Sequence, residues 1–386
     1  MNQESMLRPF LQFLNREADA GQTAMQTLRD KPVTAWAPYF AVRPGWWSYG
    51  VFRAMLSYAR EMFDRDPRVA LAITTFVSER VNDLEVIPDS TVLGPFIRGL
   101  AWKEHANALF MLGEFALAAA AAERAIGIFS GTPALAIDVA WATLIRAMSL
   151  HELGNTGEAL DLIMKTARLF GEHAESRGYR VALAVCGNIL VDLQEYPAAR
   201  DAYTIARTLA EEQNDPREVA RMLNNIGQCS VKLSEFELGE QQLLQAARLL
   251  SEQHMDSEIT RTVIGLARVL NARGQLEAAI SAFQNVYADF LHYGMVIPAA
   301  QILVELTDVV TELTGDVEWA HAESAKLAAT FGDYDVPTNV RAAMAYMQRE
   351  TEAARSVEQV RAALDYVRKF LQDLFASPST AFAVPA

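Results

Sequence analysis

The stretch RMLNNIGQCSVKLSEFELGEQQLLQAARLLSE, residues 221–252, decides the fold of this chain. Both of its halves place apolar or small residues at a three-then-four spacing, so each half predicts an amphipathic helix. A short break at residues 232–235 separates the halves. Gly227 and Gly239 lack side chains, which lets two backbones approach closely. The stretch therefore predicts a hairpin of two antiparallel helices, and its apolar seam needs neighbouring copies to become buried.

Copies of this hairpin recur along the chain. The break returns at intervals of 40 or 41 residues, and a small residue follows each break at a fixed offset. A constant period of this length is typical of repeat architectures, so we expect no β-sheet between residues 95 and 331. The predicted turns lie near Gly113, Gly154, Gln194, Ser234, Gly274 and Gly315. The small residues that follow them are Ala118, Ala159, Ala199, Gly239, Ala279 and Ala320.

The repeat carries a Leu-Gly-x-aromatic turn at Leu112–Phe115, the small residue after it, and a later alanine at Ala125, Ala206 and Ala246. In these features the chain resembles the tetratricopeptide repeat family, whose usual repeat has about 34 residues. The longer period here is similar to repeats of bacterial regulators and peptide sensors. The resemblance covers roughly residues 50–331. It implies an all-α fold, a right-handed α-solenoid of stacked helix hairpins with six clear repeats, one degenerate N-terminal repeat and a C-terminal helical cap.

The ends of the chain differ from the repeats. Residues 2–16 predict a short amphipathic helix, and residues 31–50 combine three prolines with six aromatic residues. This aromatic segment is either a docking patch or a cap on the first exposed seam, and the cap is favoured because terminal repeats need atypical covers. We predict four segments: an N-terminal helix with an aromatic, proline-rich cap at 1–50, the solenoid at 51–331, capping helices at 332–376 and a disordered tail at 377–386.

The composition narrows the location and the partners. The net charge of −14 argues against nucleic acid, whose affinity comes mainly from neutralised phosphates, and against an anionic membrane surface. No apolar run reaches the ~18 residues that a membrane span needs, and the first residues do not read as a secretory signal. The two cysteines lie in different repeats and form no disulfide framework. We therefore expect a cytoplasmic protein.

The first helix of each hairpin is expected to line the concave side of the stack. Residues 13, 10, 6 and 3 before each turn residue share one helix face, which we call the inward row. This row is apolar near the N-terminus, and polar and basic in the middle of the chain. Amide side chains can bond an extended peptide backbone, and arginine suits carboxylates, so an acidic peptide is the expected ligand. The candidate binding residues are Lys103, Asn107, Asn188, Arg221, Asn224, Gln228, Lys232, Arg261 and Arg268.

An ordinary solvated helix face is the alternative for these residues, because such faces often carry arginine and asparagine. The resemblance also implies a carboxylate clamp, in which Lys and Asn side chains on successive inner helices hold the terminal carboxylate of a ligand. Lys103 and Asn107 have the spacing of the first such pair. Ile145 and His151 stand where an asparagine of that clamp is expected, so the full clamp is not matched.

Local catalytic motifs are absent from the sequence. No two histidines lie three to five residues apart, and no glycine-rich phosphate loop is present, so we predict no catalytic, metal or cofactor site. His105 and Cys186 fall on the packing side of their helices, as core residues do. We predict a non-enzymatic scaffold or adaptor that binds a protein or peptide. The alternatives are a peptide-responsive sensor or regulatory subunit that signals through its terminal helices, and an enzyme assembled from several repeats. Homo-oligomerisation stays open.

Overall fold

The computed structural model describes residues 3–376 and 382, apart from gaps at 64, 85–90, 254 and 293–294 and most of 316–336. Every regular element in this described part is a helix, which confirms the predicted all-α class. The chain divides into two compact units, Met1–Ala182 and Leu183–Ala386. Each unit is built from stacked helix hairpins of the α-solenoid class.

The α-helices of the first unit begin with a long N-terminal helix and a short one. They are α1 (Gln3–Leu28), α2 (Ala37–Ala41), α3 (Tyr49–Met62), α4 (Pro67–Arg80), α5 (Leu93–Met111), α6 (Phe115–Ser130), α7 (Ala136–Glu152) and α8 (Thr156–Glu172). Helix α9 (Ser176–Asp192) contains the boundary between the units. The second unit continues with α10 (Tyr196–Glu212), α11 (Pro216–Lys232), α12 (Phe236–Glu252), α13 (Asp256–Ala272), α14 (Leu276–His292), α15 (Val296–Thr314), α16 (Thr338–Ala353) and α17 (Val357–Ala376).

The turns lie where the period predicts them. Helices α8 to α14 have 17 residues each and are joined by three-residue turns, which gives the period of 40. All six predicted turn residues adopt a left-handed backbone, with φ between 62° and 83°. The residue after the turn donates its N–H five residues back, as Glu114 does to the Leu109 carbonyl at 2.9 Å. This is the Schellman ending, which satisfies carbonyls that a helix end would otherwise leave unpaired.

Small residues let the two helices of a hairpin pack closely. A Cβ atom added at Gly227 would lie 2.7 Å from Leu243 Cγ, and one added at Gly239 would lie 3.3 Å from the Gly227 carbonyl oxygen. This confirms the close approach that the first quoted stretch predicts. The small residues that follow the turns are completely buried at four positions, Ala118, Ala159, Ala199 and Ala279. The second helices therefore bury a narrow strip against the first helices.

The N-terminal helix is longer than the sequence indicates. Residues 2–16 predict a short helix, whereas α1 has 26 residues and its C-terminal half packs on α3. The extension follows from Gly21 and Gly50, which stand at the crossing of α1 and α3: a Cβ atom at Gly21 would lie 2.6 Å from the Gly50 carbonyl oxygen. Ala24 and Leu28 on the extended part are fully buried.

The aromatic segment at 31–50 packs into the first unit. Trp36 is fully buried, Phe40 is 1% exposed, and the Phe40 ring lies 5.3 Å from the Phe76 ring of α4. Trp46 and Tyr49 are also buried. These contacts favour the cap over the docking patch, because the large rings cover the side of the first hairpin rather than facing solvent.

At the C-terminal end, α17 packs against both α15 and α16. Asp308 of α15 stands seven residues before the turn, where the earlier repeats have alanine or glycine. Its carboxylate accepts from Arg361 at 3.2 Å and from Arg368 at 2.8 Å, both on α17. The predicted disordered tail lies outside the described residues except for Phe382, whose ring centroid lies 4.8 Å from that of Phe370.

One helical segment, Pro133–Glu152, is long and apolar enough by length and composition to cross a membrane. Asp138 and Arg146 interrupt the run of apolar residues within it. The core helix of a soluble protein can be equally long and apolar, and 44% of the apolar part of this segment is buried. The segment is therefore weak evidence for a membrane span.

Candidate functional site

Four of the predicted binding residues line one pocket of the second unit. The pocket has a volume of about 330 Å³ and lies among α9, α11 and α13. These helices are the first helices of three successive hairpins, and their common register brings the side chains together. The four residues are Asn188, Arg221, Asn224 and Arg261. The other lining residues are Ala184, Met222, Asn225 and Glu258.

In this pocket, acidic and basic side chains alternate between neighbouring first helices, an arrangement that we call the charge ladder. Arg221 contacts the Glu218 carboxylate at 2.7 Å and the Glu258 carboxylate at 3.0 Å. Burial acts to lower the pKa of Arg221, but the hydrogen bonds and charges of the two carboxylates outweigh it and raise that pKa. Among the side chains that the structure describes, no carboxylate forms an ion pair with Arg261. Arg261 is therefore the cation of this pocket that is available to an anionic group.

The amide side chains are partly engaged within the protein. The Tyr203 hydroxyl donates to Asn188 Oδ1 at 2.6 Å, and Thr262 Oγ1 donates to Asn224 Oδ1 at 3.1 Å. Gln228 Nε2 donates to the Arg261 carbonyl at 3.0 Å. Asn224 is only 8% exposed. Because Thr262 bonds Asn224 across adjacent repeats, this amide is a structural link as well as a pocket wall.

The basic stretch predicted around Lys232 and Arg268 is largely neutralised. Arg268 forms a two-pronged ion pair with Glu305 of the next repeat, and its Nε lies 3.0 Å from Glu305 Oε2. Burial acts to raise the pKa of Glu305, but Arg268 lowers it below the ordinary value. The Glu305 carboxylate therefore occupies the Arg268 guanidinium, which the predicted binding site assigns to a ligand. Burial lowers the pKa of Lys232, and Arg268 beside it adds to the effect.

Lys103 and Asn107 lie in the first unit around a buried acid that the sequence analysis did not single out. Glu104 is 1% exposed, and its carboxylate contacts Arg60 at 2.5 Å and Lys103 at 3.2 Å. Asn107 Nδ2 donates to Glu104 Oε2 at 3.3 Å. Burial acts to raise the pKa of Glu104, but the charges of Lys103 and Arg60 outweigh it and lower that pKa. Lys103 is thus part of a buried ion network.

The side chains considered for catalysis are held in unreactive settings. His105 Nδ1 lies 3.3 Å from the Thr74 hydroxyl, and burial lowers the pKa of the imidazole. Burial raises the pKa of Cys186, and it raises that of Cys229 to about 11, so both thiols stay protonated near neutral pH. In the described part of the chain, no three His, Cys, Asp or Glu side chains come together to hold a metal ion.

The repeat period could have revealed one pocket residue that the sequence analysis missed. Glu218-x-x-Arg221 recurs one repeat later as Glu258-x-x-Arg261, at an offset of 40 residues. Because adjacent first helices run side by side in the same register, an acid in one repeat reaches the arginine of its neighbour. The Glu258–Arg221 ion pair therefore has a sequence signal, whereas the Tyr203–Asn188 bond has none.

A family model for the tetratricopeptide repeat matches residues 140–163 and 260–284. The chain carries tetratricopeptide repeats. Both matches are centred on the turns at Gly154 and Gly274, with parts of the two flanking helices. The tetratricopeptide repeats of this chain have 17-residue helices, so the predicted long form of the repeat is confirmed.

Solved structures with the same fold include a quorum sensor, a phosphatase and a Rap protein. The quorum sensor NprR from B. thuringiensis, in its apo form, is 12% identical and matches with a TM-score of 0.58, covering 94% of this chain and 99% of that one. Aspartyl phosphate phosphatase F from Bacillus subtilis is 12% identical, with a TM-score of 0.56 and coverage of 75% and 72%. A Rap protein complexed with Competence and Sporulation Factor is 12% identical, with a TM-score of 0.50 and coverage of 83% and 99%. No curated protein sequence matches this chain.

Proposed function

We propose that this chain is a non-enzymatic scaffold or adaptor that binds a peptide or an extended protein segment in the pocket formed by α9, α11 and α13. The observation that carries the proposal is the convergence of Asn188, Arg221, Asn224 and Arg261 on this pocket. Solved structures of similar fold include a Rap protein complexed with Competence and Sporulation Factor, which supports a peptide as the ligand class.

The pocket offers donors for the carbonyl groups of a peptide backbone. Asn188 is exposed, and because its Oδ1 is used by Tyr203, its Nδ2 is left to donate to a peptide carbonyl. Asn225 Oδ1 accepts from Asn224 Nδ2 at 3.3 Å, which leaves the Asn225 Nδ2 as a second donor. Two amide donors on the neighbouring first helices α9 and α11, with one arginine on α13, suit an extended segment with alternating carbonyl groups.

The test is selection from a random hexapeptide library on the immobilised chain. We expect the wild type to enrich a defined set of sequences over bare resin. Asn188→Asp keeps the acceptor for Tyr203 and removes the donor, so it should weaken binding of the enriched peptides by about 10-fold, the worth of one hydrogen bond. The matched control is Asn155→Asp, the same change at an exposed turn of the first unit. Absence of any enrichment by the wild type would overturn the proposal.

The second candidate is a peptide-responsive sensor that signals through its terminal helices. The observation that favours it is that ion pairs at half-exposed side chains, Arg361 and Arg368 with Asp308, join α17 to α15 beside a buried apolar contact. Such contacts are weak and can rearrange. Hydrogen exchange in α17 decides between the candidates: a sensor changes the exchange rates of residues 357–376 when an enriched peptide binds, and a plain scaffold does not.

The remaining parts of the proposal concern location and organisation. We place the chain in the cytoplasm, and both cysteines are free thiols, which suits a reducing compartment. The four segments with boundaries at 50, 331 and 376 remain a prediction, as does the absence of a cofactor.

A further inference from the structure

The charge ladder in the pocket of the second unit stops one carboxylate short. In the α11 repeat, Arg221 binds Glu218 on its own helix and Glu258 on the next first helix. In the α13 repeat, Arg261 has the corresponding Glu258 on its own helix, but that carboxylate contacts Arg221 instead. Arg221 therefore shows, within the same protein, what an arginine at this position of the repeat binds.

The sequence explains why no carboxylate of α15 pairs with Arg261. The place on α15 that corresponds to Glu258 falls on Pro298 when the helix starts are aligned, and on Ala299 when the turns are aligned. Neither residue carries a charge, and Ala299 is fully buried. Within the described part of the chain, these positions of α15 thus supply no carboxylate to Arg261.

We propose that Arg261 binds a carboxylate of the peptide ligand, which takes the position that a glutamate occupies beside Arg221. This inference rests on the proposed peptide-binding function and adds the chemical group that the pocket selects. The Arg261 side chain is exposed and lines the same pocket as Asn188 and Asn224. A guanidinium binds a carboxylate through two parallel hydrogen bonds, as Arg268 does with Glu305 in this unit.

The charge balance of the pocket permits this contact. Arg221 neutralises Glu258, the acid closest in sequence to Arg261, so that carboxylate does not repel the incoming one at full strength. The chain as a whole carries a charge of −14, which opposes the approach of acidic ligands at long range. Selection of an acidic group must therefore come from a local contact, and Arg261 provides it.

The carboxylate has two sources in a peptide, an Asp or Glu side chain and the C-terminus. The experiment uses two hexapeptide libraries of the same composition, one with free C-termini and one with amidated C-termini. Each is selected on the wild type, on Arg261→Gln and on the control Arg248→Gln, which removes one cation from an exposed site of α12 in the same unit. The Arg261 carbonyl that accepts from Gln228 belongs to the backbone and is unaffected by the substitution.

We expect the wild type to enrich peptides with a carboxylate at one fixed position. Acidic side chains enriched in both libraries identify the side chain as the source, and enrichment confined to the free-acid library identifies the C-terminus. Arg261→Gln should bind the selected peptide 10- to 100-fold more weakly, while Arg248→Gln should bind it as the wild type does.

Two results would overturn the inference while the proposed function stands. One is enrichment of peptides without a preferred carboxylate in either library. The other is an acidic preference that persists in Arg261→Gln with unchanged affinity and unchanged helical content by circular dichroism. If the wild type enriches no peptide at all, both the inference and the proposed function fail.

Discussion

The hairpin seam of the fourth clear repeat makes a quantitative prediction for Gly227→Leu. A Cβ atom at this position would lie 2.7 Å from Leu243 Cγ and 2.9 Å from Leu243 Cδ2, whereas non-bonded carbons pack at about 3.5–4.0 Å. Overpacking a core costs about 1–3 kcal/mol, and leucine adds four carbons, so the upper end applies. Removing a glycine from a helix returns about 1 kcal/mol. We expect a net loss of about 2 kcal/mol in the free energy of unfolding.

The assay is denaturation by urea followed by circular dichroism. The matched control is Gly127→Leu on α6, where an added Cβ meets no atom within 4 Å, so this variant should be as stable as the wild type or up to about 1 kcal/mol more stable. Leu243→Ala alone should cost about 2–5 kcal/mol, because it leaves a cavity.

The double variant Gly227→Leu with Leu243→Ala exchanges the small and the large residue across the seam. If the two side chains touch, the double variant loses less than the two single losses together, by about 0.5–3 kcal/mol. Stability of Gly227→Leu equal to that of the wild type would refute the assigned seam. Strict additivity in the double variant would show that the two residues do not meet.

Three further predictions concern turns, the terminal helix and pH. Gln194→Gly and Ser234→Gly relieve a left-handed backbone with φ of 62° and should each raise the free energy of unfolding by about 0.5–1 kcal/mol; a lower melting temperature would contradict this. Asp308→Ala removes two half-exposed ion pairs, so it should cost at most about 1 kcal/mol and speed hydrogen exchange in α17, and unchanged exchange would show that these pairs do not hold α17. Glu104→Gln should destabilise by about 1–3 kcal/mol at pH 7. Because the folded pKa of Glu104 lies below its ordinary 4.5, this loss should shrink as the pH falls through that folded pKa; an equal loss at pH 3 and pH 7 would be inconsistent with a charged Glu104.

Much of the fold was predictable because the same sequence pattern, and with it the same hairpin geometry, recurs in six repeats. A turn residue with positive φ, a buried small residue after it and equal helix lengths all follow from the period of 40. The length of α1 was not predictable in this way, since it has no copy elsewhere in the chain. Its C-terminal half is helical because it crosses α3 at Gly21 and Gly50, a long-range contact with no periodic signal.

The candidate site was predictable only in outline. The register of the inward row placed Asn188, Arg221, Asn224 and Arg261 on one surface, and they do line one pocket. The register does not say which charges are already paired. Arg268 meets Glu305 from a neighbouring repeat, and that pair depends on side-chain reach across helices.

The sequence by itself determined the all-α class, the period and the six turn positions, because each depends on local backbone preferences and on the spacing of apolar residues within about 40 positions. The tertiary structure decided which polar groups remain free. The sequence does not show whether an inward-row arginine has a carboxylate beside it. The packing of adjacent first helices decides whether the two side chains meet. Arg268 is neutralised by its neighbour. Among the described side chains Arg261 pairs with no carboxylate, because α15 carries Pro298 and Ala299 where the ladder would continue.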